Sequence, residues 1–117
     1  MTIKRKTYAL QSMPYAQCSV AIYYDTETGD PLEIRLYSYN TLVLQCEKGI
    51  DSISIKVYCP VNYSSTTARH VNRFTKELFG EDLYHTLKGT DGYLFFNENG
   101  RFNRFVREYI EYGKCVF

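Results

Sequence analysis

From Leu32 to Cys46 apolar side chains return at every second position: Leu32, Ile34, Leu36, then Leu42, Leu44 and Cys46. That period is the pleat of a β-strand with one face buried. The even phase runs unbroken across Ser38–Asn40, where one inserted residue would flip it. The pattern therefore predicts one long, bent strand rather than two. A turn over Glu47–Ser52, with Gly49, leads to Ile53, Ile55, Val57 and Cys59 on one face, with Ser54, Lys56 and Tyr58 on the other. Pro60 has no N–H to give a ladder and ends that strand. Upstream, Cys18–Tyr24 alternates as a strand, and Asp25–Pro31 is rich in turn residues. The three strands form an antiparallel meander. Its even side is the core face, and its other side carries Tyr23, Arg35, Tyr37, Tyr39, Val43, Lys56 and Tyr58.

Beyond Pro60 the period lengthens. Ser64 or Ser65 can accept from the free N–H groups of a first helical turn. Ala68, Val71, Phe74 or Thr75, and Leu78 then follow helical spacing up to Gly80, a residue suited to the position just past a helix. Glu81–Lys88 reads as a short helix, and Tyr93–Phe96 as an added strand or a buried loop. The strongest periodic signal is Phe102, Phe105, Val106, Tyr109 and Ile110, within a helix over about 101–112 that Gly113 ends. Residues 1–16 read as a basic N-terminal arm with a short strand at Thr7–Leu10, interrupted by Met13-Pro14. The expectation is a single α+β domain over 1–117. In it, an antiparallel meander of three to four strands is packed by a central helix (about 65–79) and a C-terminal helix (about 101–112).

A chain of 117 residues is long enough for one real core. Its net charge of +1 makes the whole molecule no magnet for polyanions. No apolar run approaches the ~20 residues of a membrane span. The basic N-terminus is followed by no apolar stretch of a signal peptide. Cys18, Cys46, Cys59 and Cys115 form no C-x-x-C and lie far in sequence from His70 and His85. This predicts free thiols in a reducing cytosol and no zinc site. The compositional departure is twelve Tyr and no Trp. Tyr combines an apolar face with a polar tip and suits binding surfaces, and it is also a good strand former.

His70 is the best lone candidate for chemistry, one turn into the capped helix. With Ser38, Asn40, Ser65, Thr66 and Thr67 it can form a buried polar cluster, the helix packing over the gap left at Ser38 and Asn40. That cluster has no nucleophile with both a base and an orienting carboxylate. Its members can satisfy one another, so it reads as a structural motif and the chain as no enzyme, with no cofactor. Basic stripes run along both helices, Arg69/Arg73/Lys76 and Arg101/Arg104/Arg107. The candidate partner-binding set is Tyr37, Tyr39, Tyr58 and Lys56 from the sheet with Arg69, Arg73 and Lys76 from the helix. Such a surface can be a protein interface or can stack bases. A third reading has the N-terminal arm or the last helix covering it.

Ser38-Tyr-Asn-Thr-Leu-Val43, followed about twenty residues later by Tyr63-Ser-Ser-Thr-Thr-Ala-Arg-His70-Val-Asn-Arg-Phe74, resembles small bacteriophage and prophage proteins, mostly of unknown function. Their pattern is S-Y-x-T-x-V and then S-x-T-T-x-x-H-x-x-x-F, and the likeness covers residues 36–80. The resemblance implies a phage-encoded accessory protein acting in the cytoplasm of an infected bacterium. Small phage proteins often block host defences, anti-CRISPR proteins being a prominent case. The resemblance thus carries the expectation of a non-enzymatic inhibitor that binds a host defence protein, a CRISPR effector in the first place. The alternative is a phage accessory protein that binds nucleic acid or a nucleotide through the Tyr/Arg surface. A homodimer is compatible with either.

Overall fold

Six strands form one antiparallel sheet whose spatial order is the order of the chain. The computed structural model describes residues 2–10, 17–50, 52–58, 65–88, 93–96 and 99–112. Its elements are β1 (Ile3–Ala9), β2 (Cys18–Asp25), β3 (Pro31–Ser38), β4 (Thr41–Lys48), β5 (Ile53–Val57), α1 (Ser65–Phe79), α2 (Tyr84–Leu87), β6 (Tyr93–Phe96) and α3 (Asn99–Tyr112). This is the expected α+β meander with a central and a C-terminal helix, but with more strands than the expected three to four. Expectations resting on Met13-Pro14, Cys59, Pro60, Ser64, Gly113 and Cys115 lie outside the described residues.

One added strand comes from the stretch 32–46, which is two strands and not one. Tyr39 and Asn40 both have positive φ, +52° and +72°, the signature of a type I′ two-residue hairpin. Ser38 then pairs with Thr41, which exchanges even for odd positions on the buried face. The register shifts at once: Tyr37 faces Leu42, but Leu36 faces Leu44. Val43, which the β3–β4 register skips, is a bulge that restores the even phase. Reversal and bulge cancel, so the apolar pattern passes through the turn unmarked. Val43 is 2% exposed and belongs to the core, not to the outer face.

A second strand comes from the N-terminal arm: the short strand expected at Thr7–Leu10 is the end of the longer β1, which pairs with β2 from Ile3↔Asp25 to Ala9↔Ser19. Alternation does not mark it, because an edge strand carries charge on both faces. The third is β6, antiparallel to β5, so Tyr93–Phe96 is a strand and not a buried loop.

The core face of β2–β5 supplies Val20, Ile22, Ile34, Leu36, Leu44, Cys46, Ile53 and Ile55, all buried. Phe74 and Leu78 of α1 and Phe102, Phe105, Val106 and Tyr109 of α3 close over them. Phe74 meets Phe105 edge-on with centroids 5.6 Å apart, a favoured aromatic geometry. The Tyr109 hydroxyl donates to Glu77 Oε1 at 2.8 Å, and its ring lies 5.5 Å from that of Tyr8. The two helices are thereby tied to each other and to β1. Gly80, at φ +83°, donates its N–H to the Lys76 carbonyl at 3.0 Å and ends α1. The first amides of α2 are satisfied from α1: Leu83 N–H donates to Thr75 Oγ1 (3.1 Å) and Tyr84 N–H to Asn72 Oδ1 (2.9 Å). Among the described residues no helix is long and apolar enough to cross a membrane.

Candidate functional site

Both long helices cover the same side of the sheet. On the other side the register sets Arg5 beside Tyr23, Tyr23 beside Glu33, Ala21 beside Arg35, Ser19 beside Tyr37, Arg35 beside Gln45 and Gln45 beside Lys56. No described helix packs on this face. Its side chains are organised among themselves. The Arg35 guanidinium lies over the Tyr23 ring, 4.8 Å from its centroid, and Arg5 approaches the same ring at 5.9 Å and Tyr37 at 5.8 Å. Each such cation–π contact is worth about 0.5–1 kcal/mol on a surface. Arg35 also pairs with Glu33 along its own strand. The Glu33 carboxylate, helped by Tyr37, holds the guanidinium above its ordinary pKa. At the β4–β5 end the Tyr58 hydroxyl donates to Gln45 Oε1, Gln45 Nε2 donates to Glu47 Oε1 at 2.9 Å, and Lys56 Nζ stands 5.1 Å from the Tyr58 ring centroid. Glu33 and Glu47 face each other across β3 and β4.

A second cluster lies on the helix side, where β3 ends against the first turns of α1. The Ser38 hydroxyl is 2.8 Å from His70 Nδ1 and 3.1 Å from Thr67 Oγ1. His70 is 0% exposed, and its Nε2 has no hydrogen-bond partner among the described residues. Burial, and then the charge of Arg69, lower its pKa and keep the ring neutral. Tyr39, 54% exposed, caps the cluster from the hairpin turn, its ring centroid 5.6 Å from that of His70. The turn is held by the Tyr39 N–H donating to the Gln17 carbonyl at 2.8 Å. Among the described residues this Ser–His pair has no acidic side chain bonded to it, and its ring is buried.

The structure thus divides the partner-binding set between two sides. Tyr37, Lys56 and Tyr58 share the open sheet face. Tyr39 does not: the hairpin reversal turns it onto His70. Arg69, Arg73 and Lys76 are exposed on α1, across the sheet from the tyrosines. Of the structural motif, Ser38, Thr67 and His70 come together. Asn40 is exposed in the turn and bonds to none of them, and Ser65 is the exposed first residue of α1. Sequence reasoning missed Arg5. Only the pairing of β1 with β2 reveals it, because that register sets Arg5 opposite Tyr23.

Cys18 and Cys46 are free and buried, and burial, with Glu77 adding to it, pushes the Cys18 thiol up to about 12, which leaves it unreactive. Among the described residues no group of three His, Cys, Asp or Glu side chains is placed to hold a metal ion. A cleft of about 400 Å³ opens between the β2–β3 turn and α3, lined by Asp30, Lys48, Val106, Arg107, Ile110 and Glu111 among others. None of the expected site residues lines it.

A family model described as a family of unknown function (DUF8033) matches residues 5–89, a span that contains both the tyrosine face and the His70 cluster. No curated protein matches the chain, and no solved structure does.

Proposed function

The chain belongs to that family of unknown function, and from this premise we propose that it is a non-catalytic binding protein that engages a protein partner through the open face of its sheet. The observation that carries the reading is the Tyr23 ring contacted by the guanidinium groups of both Arg5 and Arg35, on a face that no described helix covers. Tyr and Arg are the residues that anchor protein interfaces. Here they are fixed in advance by one another, so little side-chain entropy remains to be lost on association.

Two features favour protein over nucleic acid. Tyr23, Tyr37 and Tyr58 each already carry a cation over the ring, which competes with a stacking base. Glu33 and Glu47 lie opposite each other at one end of the β3–β4 ladder, where they disfavour phosphate.

The resemblance to phage proteins supports a host defence protein as the partner, in the cytoplasm of an infected bacterium, with a CRISPR effector first to be tested. The experiment is plaque counting of a targeted phage on hosts with and without CRISPR immunity, each expressing this chain. It is paired with capture of host proteins by wild type, Arg35→Ala and Tyr37→Ala. Restored plaques only in the immune host, and one captured protein lost with either variant, are the expected results. Plaque counts unchanged in both hosts remove the defence target. Salt-sensitive binding to generic DNA or RNA in place of a captured protein removes the protein-interface reading.

A further inference from the structure

β1 is the first strand of the sheet, and the hydrogen-bond pattern shows which way each of its residues faces. Leu10 N–H donates to the Cys18 carbonyl (3.0 Å) and Thr26 N–H to the Thr2 carbonyl (2.8 Å), while the register between them is unbroken. The even-numbered residues of β1 therefore form the hydrogen-bonded pairs with β2. The N–H and C=O groups of Ile3, Arg5 and Thr7 point the other way, off the edge of the sheet, and no strand lies beyond them among the described residues. An open edge of this kind is a template for another strand.

Its side chains restrict what can pair there. Lys4, Arg5 and Lys6 are consecutive cations, and none forms an ion pair among the described residues. Ile3 beside them is 56% exposed. A second copy of β1 laid antiparallel would set these cations against one another, which destabilises the pairing. A nucleic acid would neutralise them but would leave the outward carbonyls without donors. The geometry points to an acidic, extended segment of a partner protein, adding to β1 as a further strand. Its amides pair with Ile3, Arg5 and Thr7, and its carboxylates meet Lys4 and Lys6 on one side and Arg5 on the other. Arg5 belongs to the tyrosine face as well, so edge and face form one continuous surface. This inference rests on the reading that the partner is a protein.

The test uses the full chain and two synthetic peptides, Thr-Val-Glu-Glu-Glu-Val-Thr and its counterpart with three lysines. The acidic peptide is expected to bind saturably and to slow amide exchange at Arg5 and Thr7. The lysine peptide is expected not to bind. Thr7→Pro removes an N–H that points off the sheet, which an edge strand tolerates. It should keep its melting temperature and lose at least about tenfold in affinity. Lys4→Glu with Lys6→Glu should exchange the preference between the two peptides, and this keeps the test decisive should the proline variant not fold. Equal binding by wild type and Thr7→Pro overturns the proposal, as does protection confined to Tyr37 and Tyr58. Protection of Arg5 and Thr7 in a peptide-free dimer overturns it too, in favour of a second copy. If the edge fails these tests while capture still depends on Arg35, the open-face reading stands alone. If the peptide binds at β1 while Arg35→Ala and Tyr37→Ala retain the partner, the face reading falls instead.

Discussion

The ring of Tyr39 stands over that of His70, 5.6 Å between centroids, although the backbone carrying it is in the left-handed region at φ +52°. A bulky residue there is strained by about 1–3 kcal/mol, and Asn-Gly is the pair that a type I′ turn prefers. Tyr39→Asn combined with Asn40→Gly should therefore raise stability by about 1 kcal/mol. If the turn also contacts a partner, affinity falls while stability rises. Thermal melts beside binding titrations read both quantities. A lower melting temperature would show that the ring contributes more over His70 than its backbone costs.

Ser38→Ala removes the group that bonds both His70 Nδ1 and Thr67 Oγ1. The histidine nitrogen stays buried without that partner, a loss of about 1–3 kcal/mol. The melting temperature should drop by on the order of 5–10 °C, and partner binding only as far as the folded fraction drops. A stable but inactive Ser38→Ala protein would move the functional centre to this cluster.

His70 also gives stability a sign with pH. Its folded pKa lies below the ordinary value, so the unfolded chain takes the proton first as pH falls. The contribution of neutral His70 is complete above about pH 6.5 and is lost as pH falls below it. Urea midpoints measured between about pH 7 and pH 5 should fall more steeply for wild type than for His70→Asn, which has no ring to titrate. Parallel slopes would sink this assignment.

Thr75→Val keeps shape but deletes the acceptor of the Leu83 N–H. The amide is left buried and unpaired at a cost of about 1–3 kcal/mol. Exchange should quicken first at Leu83 and Tyr84, while the sheet amides change little. Uniform loss of protection would mean that α2 and the sheet open as one unit.

The fold was legible in the sequence wherever periodicity is unambiguous. Phe102, Phe105, Val106 and Tyr109 are all buried in α3 as their spacing predicts, and Ile53, Ile55 and Val57 face the core as alternation predicts. The hairpin at Tyr39-Asn40 escaped because two phase changes cancelled, and the turn lacks the Gly that marks most type I′ turns. The pairing of Ser38, Thr67 and His70 was legible because Ser38 is a polar break in an apolar row and the helix follows close behind. The division of the arginines from the tyrosines was not, because it depends on which side of the sheet α1 crosses. No period within either element fixes that side.

The order of strands has a consequence while the chain is being made. From β1 to β5 each strand pairs with the one synthesised just before it, so contacts there are local and form early. β6 is different: it reaches β5 only after α1 and α2 have been made. At roughly 5–20 residues per second, β5 waits on the ribosome for a few seconds as an uncovered edge. Its sequence, Ile-Ser-Ile-Lys-Val, is apolar and β-prone apart from one charge. Lys56 is then the gatekeeper of the nascent chain, guarding it against its neighbours on the same message before it has any partner to meet.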